Sequence, residues 1–208
     1  MQRIAIFLRN QSTINKFRQT ILNTLSVGIV DEALLCSGFF QETNNYSSGL
    51  EFNLMRRRQN SPLKLTTVGL YSYTWKNQYL IFGQNIKTLN PTPNFTFIQK
   101  RMKGMNWHSK IFIAKSSNVP VVGVIGSSNI TSRAFGTQSP FNYECDVIMW
   151  SEINSVINQA INNAIGDAGE GSGVIVANYD AIHPANQETL EQRLILLEKE
   201  ILNRTVDF

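Results

Sequence analysis

Histidine is nearly missing from this chain: His108 and His183 are the only two among 208 residues. Cysteine is as scarce, and Cys36 and Cys145 lie far apart in apolar, strand-like runs, where they read as buried free thiols. The carboxylates show no catalytic spacing of the Asp…Glu-x-Lys kind, so no metal site and no cofactor is expected. No apolar run approaches the roughly 18 residues of a membrane span. The first residues, MQRIAIFLRNQSTINKF, lack the long apolar core and small-residue cleavage site of a signal peptide, so a cytoplasmic location is expected. No internal repeat is visible, and neither a helix-turn-helix nor a zinc finger stands out.

What remains is ordinary globular composition. Hydrophobic residues make up 42%, and 208 residues fit one domain, 1–208, able to bury a full core. A net charge of +4 is mildly basic and consistent with a polyanionic partner.

Periodicity and punctuation predict the elements. Ser12 to Leu25 reads as a helix capped by Ser12 or Thr13, with Ile14, Phe17, Ile21, Leu22 and Leu25 at helical spacing. Val27 to Phe40 begins the core, interrupted at Asp31-Glu32. Gly49 to Asn60 is a second helix candidate, whose final Arg56-Arg57-Arg58 suits either the helix dipole or a nucleic-acid backbone. Leu63 to Tyr73 reads as a strand, Tyr79 to Leu89 as strand or helix, and Phe95 to Gln99 as a short strand after Pro91 and Pro93. Lys100, Arg101 and Lys103 follow as a basic run that either touches a nucleic-acid backbone or, as such runs usually do, solvates a loop. A strand from Glu144 to Trp150 leads into a helix from Ser151-Glu152 through Ile153, Ile157 and Ile161. Gly166 to Gly173 reads as a flexible loop, Val174 to Ala177 as an edge strand, and Glu188 to Arg204 as the last helix, with Leu190, Leu194, Leu197 and Ile201 on one stripe.

The stretch from Trp107 to Asn129 concentrates the chemistry. Strand alternation puts His108 and Lys110 on one face and Trp107, Ile111 and Ile113 on the other. A hairpin turning through Lys115 to Pro120 brings Gly126-Ser127-Ser128-Asn129 back beside them. An imidazole, an ammonium, a hydroxyl and a carboxamide then share one small volume. That is a phosphate site containing a nucleophile.

The residues His108-x-Lys110 and Gly126-Ser127-x-Asn129 resemble the signature of the phospholipase D superfamily. The spacer is longer than usual, and Lys115 stands where the family carries an Asp. Both departures are similar to the single-copy bacterial nuclease branch, which includes metal-independent restriction enzymes. In that branch a Glu follows on the next strand, and Glu144 matches it. The resemblance implies an α/β fold: a phospholipase D-like α/β/α sandwich with a mixed β-sheet, homodimeric with a shared active site. Its first strand commonly ends in a small-residue turn, which Cys36-Ser37-Gly38 fits.

The resemblance also implies a mechanism needing two imidazoles, one attacking phosphorus and one protonating the leaving oxygen. His183 has no lysine two residues on and precedes Pro184, so the second ring is expected to be His108 of another copy across a two-fold axis. Lys110, Asn129 and Ser127 are the expected phosphate ligands, and Glu144 is expected to accept from the second ring nitrogen of His108. The expected activity is metal-independent cleavage of DNA through a phosphohistidine. The chain would be the cleavage domain of a restriction enzyme, with recognition in a separate domain or subunit. The alternatives are a phospholipase or phosphatidyl transferase, for which no basic amphipathic membrane helix is apparent, and an inactive nucleic-acid-binding dimer.

Overall fold

Runs of β-branched and aromatic residues alternating with helical stripes assemble into one large sheet with helices on both faces. The computed structural model describes residues 1–53, 55, 61–104, 106–166 and 173–208. In chain order the elements are β1 (Gln2–Arg9), α1 (Lys16–Ser26), β2 (Glu32–Cys36), β3 (Glu42–Thr43), β4 (Tyr46–Ser47) and α2 (Ser48–Glu51). Then come β5 (Leu63–Gly69), a 3-10 turn at Tyr73–Trp75, α3 (Lys76–Leu89), β6 (Phe95–Met102), β7 (Lys110–Ser116) and β8 (Val119–Gly126). The chain continues with β9 (Glu144–Ser151), α4 (Ser155–Ile165), β10 (Gly173–Asn178), α5 (Leu190–Asn203) and β11 (Thr205–Asp207).

Nine strands form the main sheet in the order β10-β1-β9-β8-β7-β2-β5-β6-β11. β5 runs parallel to its neighbours β2 and β6, and the other pairings are antiparallel. Phe17 and Ile21 of α1, Phe82 and Ile86 of α3, and Ile157 and Ile161 of α4 pack on one face with Phe112, Val124 and Ile148 of the sheet. On the other face Leu190, Leu194 and Ile201 of α5 meet Leu34, Ile113 and Met149. The expected α/β/α sandwich around a mixed sheet is the architecture observed.

The central hairpin is tighter than its composition suggests. Ser117 and Asn118 both have positive φ, 51° and 67°, so the strands join through a two-residue turn whose twist matches theirs. Pro120 then sits within β8 opposite Lys115, at a register shift. The alternation across the motif also stands: Trp107, Ile111 and Ile113 are buried on the α5 face, and Lys110 and Phe112 point to the other.

Several boundaries moved, each for a local reason. The α1 cap is Asn15, whose side chain accepts from the Arg18 amide at 3.0 Å, so the helix starts later than Ser12. Tyr79 to Leu89 is helical, because Tyr79, Phe82, Gly83 and Ile86 bury one helical stripe. β9 runs on through Ser151, and Asn154 caps α4, leaving Ile153 in solvent. The helix expected over Gly49 to Asn60 is a single described turn, α2, and Arg56-Arg57-Arg58 fall outside the described residues. Most of the glycine-rich stretch, residues 167–172, does so too. Cys36 is buried as expected but Cys145 is exposed. It points to the α5 face, near Leu8, where that lone helix leaves the sheet uncovered.

Lys115 sits at the opposite end of β7 from Lys110. Its ammonium pairs with Glu32 of β2 at 2.6 Å and Glu198 of α5 at 2.9 Å, tying the helix to the sheet. Burial alone would raise the Glu32 carboxyl, but hydrogen bonds from Lys115 and Lys64 outweigh it and hold the group below its ordinary value. Its contribution to stability is therefore present above the unfolded-state value and fades as pH falls through the folded one. Lys115→Met should cost about 1–3 kcal/mol at neutral pH, between exposed and fully buried pairs. In thermal melts the difference from wild type should shrink at acid pH; a constant difference would detach Lys115 from this carboxylate.

Candidate active site

Strand register builds the site before any side chain is considered. Lys110, Gly126, Asp146 and Phe7 lie in one row across β7, β8, β9 and β1. Directly opposed residues share a face, so this row defines one end of the sheet on the α1 side. The carboxyl ends of β1, β2, β5 and β8 and the amino ends of β7 and β9 all open there.

His108 stands in the extended segment just before β7 and is exposed. Lys110, only 5% exposed, brings its Nζ to 3.0 Å from His108 Nδ1 and 3.2 Å from Nε2, and donates to the His108 carbonyl at 2.5 Å. Partial burial, and secondarily the Lys110 charge, push the imidazole below its ordinary value. The ring is thus neutral at neutral pH, and its one lone pair accepts from the Lys110 ammonium. Burial also lowers Lys110, and the Glu144 charge opposes that shift.

The turn after β8 is held one residue at a time. At Gly126 an added Cβ would lie 2.0 Å from Asp146 Oδ1 and 2.7 Å from Asp146 Cα, so glycine is required for the carboxylate to cross. Ser127 Oγ donates to Glu144 and accepts from the Cys145 amide at 2.9 Å. Ser128 donates its Oγ to Asp146 at 2.6 Å and its amide to the same carboxylate at 3.3 Å. Ser37 Oγ accepts from the Ile130 amide at 3.1 Å and shares its one proton between the Phe39 carbonyl at 2.8 Å and Asn129 Oδ1 at 3.3 Å. Ser37 follows β2, and its neighbour Gly38 lies against the motif strand, where a Cβ would meet the Trp107 carbonyl at 2.8 Å. Ser37-Gly38 thereby links the Asn129 side of the site to the His108 side.

A buried guanidinium organises the loop beyond. Arg9, at 2% exposure, donates to the carbonyls of Gln11, Ser12, Arg133, Ala134 and Gly136 over 2.8 to 3.3 Å. Asn15 Nδ2 reaches Ala134, Phe135 and Gly136 as well. Residues 133–136, a few positions after Asn129, are therefore fixed from β1 and the cap of α1.

Of the residues expected in the site, the structure brings His108, Lys110, Ser127, Asn129 and Glu144 to this end of the sheet. Glu144 is placed differently from its expected contact. Its carboxylate is held by Ser127 and by Asn142 Nδ2 at 3.1 Å, while the His108 ring nitrogens face Lys110. The reason is the register: Glu144 precedes the row residue Asp146 by two and lies over Ser127, the residue after Gly126. His183 belongs elsewhere. Its loop leaves β10 and returns to α5 beside Gln2, at the other end of β1, and its Nδ1 accepts from the Ala185 amide at 3.1 Å.

The sequence reading did not place Arg9, Ser128 or Asp146 in the site, and took Ser37 only as part of a small-residue turn. A signal existed for Asp146, a carboxylate inside the apolar run Cys145 to Trp150. It has no exposed surface, and burial pushes its carboxyl up to about 6 against the Ser128 hydrogen bonds. Arg9 and Ser37 carry no local signal of this role, since the partners that tie them to the site loop lie 124 to 127 and 92 to 93 residues away.

No family model matches the chain, and no curated protein does. Solved structures do match. NucT from Helicobacter pylori aligns over 79% of this chain and 94% of its own, at 16% identity and a TM-score of 0.40. Phosphatidylserine synthase from Haemophilus influenzae aligns over 98% of this chain and 48% of its own, at 9% identity and 0.48. Yeast tyrosyl-DNA phosphodiesterase aligns over 70% of this chain and 31% of its own, at 13% identity and 0.37. The chain thus spans nearly all of NucT but less than half of the other two.

Proposed function

We propose that this chain is a phosphodiesterase of the phospholipase D superfamily that hydrolyses DNA without a metal ion, as the cleavage domain of a restriction enzyme. The observation that carries the reading is an exposed, neutral imidazole held by Lys110 at the mouth of a turn presenting Ser127 and Asn129. Neutral His108 attacks phosphorus and forms a P–N bond as the P–O bond to the leaving strand breaks. A protonated second imidazole gives its proton to the departing oxygen. That imidazole, now neutral, takes a proton from water as the water breaks the P–N bond, which returns both rings to their starting states. Lys110 and Asn129 meet the negative charge spread over the equatorial oxygens. Glu144 acts through Ser127, fixing the turn.

Within one chain the second ring is not at hand, since His183 sits at the far end of the sheet. The proposal therefore requires a two-fold dimer in which His108 of each copy faces the same phosphorus. Both rings titrate as one pair. Because each His108 is held below the ordinary value of about 6.5, the pH profile of kcat/KM should be bell-shaped with its optimum on the acid side of 6.5. An optimum above neutrality would contradict the assignment of His108 as attacking group.

The deciding experiment incubates the protein with plasmid DNA and, separately, with phosphatidylcholine vesicles, both in excess EDTA. Nicking or linearisation of the plasmid is expected. Loss of cleavage in EDTA would remove the mechanism, lipid turnover alone would make the chain a phospholipase, and salt-sensitive DNA binding without cleavage would make it an inactive binding module. Light scattering showing only monomer at working concentration would rule out the shared site.

A further inference from the structure

Tyr71 stands beside His108 for no reason the core supplies, and Tyr73 follows it two residues on. Tyr71 lies edge-on to the imidazole with ring centroids 5.2 Å apart, and Phe39 does the same at 5.7 Å. Tyr71 is 37% exposed and Tyr73 77%. The backbone is bent to put them there. Leu70, the residue after β5, has φ of 78°, a conformation costly for a branched side chain, and the Tyr71 amide donates to the Gly38 carbonyl at 3.0 Å. Strain of this kind persists only where surrounding contacts hold it, and here they hold Tyr71 against the imidazole.

Beyond the two rings is a pocket of about 230 Å³. Tyr71 and Tyr73 wall it, Leu70 and Met102 give it apolar surface, and Arg101 and Asn106 supply a cation and a carboxamide. Tyr71 both touches the His108 ring and lines the pocket, so the pocket adjoins the position of the scissile phosphate. Aromatic walls, one guanidinium and one amide are the chemistry of a nucleotide: the base stacks, its edge finds the amide, and the flanking phosphate finds the cation. A fatty-acyl chain would have no use for the last two.

We propose that this pocket holds the unpaired base adjoining the scissile phosphate, so a single strand fits the site directly and a duplex only by extruding that base. A base stacked on Tyr71 or Tyr73 cannot also be stacked and paired within a duplex. The inference rests on the phosphodiesterase reading for the position of the scissile phosphate, but its test does not need turnover.

The test measures binding, on a His108→Ala background that prevents cleavage, of a short single strand, the same strand with one abasic position, and the matching duplex. The single strand should bind tightest. Tyr73→Ala should weaken it by roughly five- to a hundred-fold, the range for one lost stacking contact, and should cost nothing further on the abasic strand. Arg101→Met should flatten the salt dependence by about one phosphate contact. Equal losses on intact and abasic strands, a duplex bound as tightly as the single strand, or a Tyr73→Ala protein that scatters as a smaller particle would each overturn the proposal; the last would make the tyrosines a contact between copies. If wild-type protein hydrolyses DNA while Tyr73→Ala binds normally, the pocket falls and the enzyme stands. If nothing is hydrolysed while the binding pattern holds, the enzyme falls and the pocket stands.

Discussion

His108→Ala should abolish phosphodiester hydrolysis, a loss of about 10⁴-fold or more, the scale seen when an attacking group is removed. The fold should survive, because the ring is exposed and its contacts are the edges of Phe39 and Tyr71 and the Lys110 ammonium. Plasmid cleavage in EDTA reads the first half and a thermal melt the second. Activity within tenfold of wild type would take His108 out of the reaction. The same variant probes the shared site. Co-refolded in equal amounts with wild type, it should leave about a quarter of the activity, since random pairing makes one dimer in four with two imidazoles. A remainder of one half would mean that each copy works alone.

Arg9→Met is expected to have the largest effect on stability. The guanidinium satisfies backbone carbonyls on both sides of the site, from Gln11 and Ser12 and from Arg133, Ala134 and Gly136. Removing it strands those carbonyls in a buried place, with the carboxylates of Glu144 and Asp146 nearby. The cost should be about 3–5 kcal/mol. For a chain of this length that is roughly 6–20 °C in Tm. Activity should fall with it, because the loop fixed by Arg9 begins only four residues after Asn129. Arg9→Lys should recover only part of the stability, as one ammonium cannot span carbonyls on both sides. A Met variant that melts with wild type would show the loop to be held from elsewhere.

The parts that sequence reading located are those whose signal is local. Strand alternation put Lys110 and Ile111 on different faces of the sheet, and the β-branched runs on either side of Ser117-Asn118 placed Gly126 to Asn129 beside the motif strand. The stripe Leu190, Leu194, Ile201 marked α5 correctly, and the structure adds the capping box of Thr189 and Gln192 that starts it. Where the signal was divided, reading failed. β1 was not recognised as a strand, because a buried arginine closes its alternating pattern and only the partners of that arginine explain the burial. The helix over Lys76 to Leu89 looked ambiguous because its apolar residues also suit a buried strand.

Residue types and short spacings thus determined the chemistry available to this chain: one imidazole beside one ammonium, a Gly-Ser-x-Asn turn, and no other histidine with a lysine two residues on. The tertiary structure decided how those groups are held. It assigned Glu144 to Ser127 rather than to His108, put Asp146 where Gly126 has no side chain, and clamped Asn129 through Ser37. Backbone and side-chain periodicity are set by neighbours a few residues apart and can be read along the chain. Hydrogen-bond partners and burial depend on which strands lie side by side, and that is settled only when the whole sheet forms.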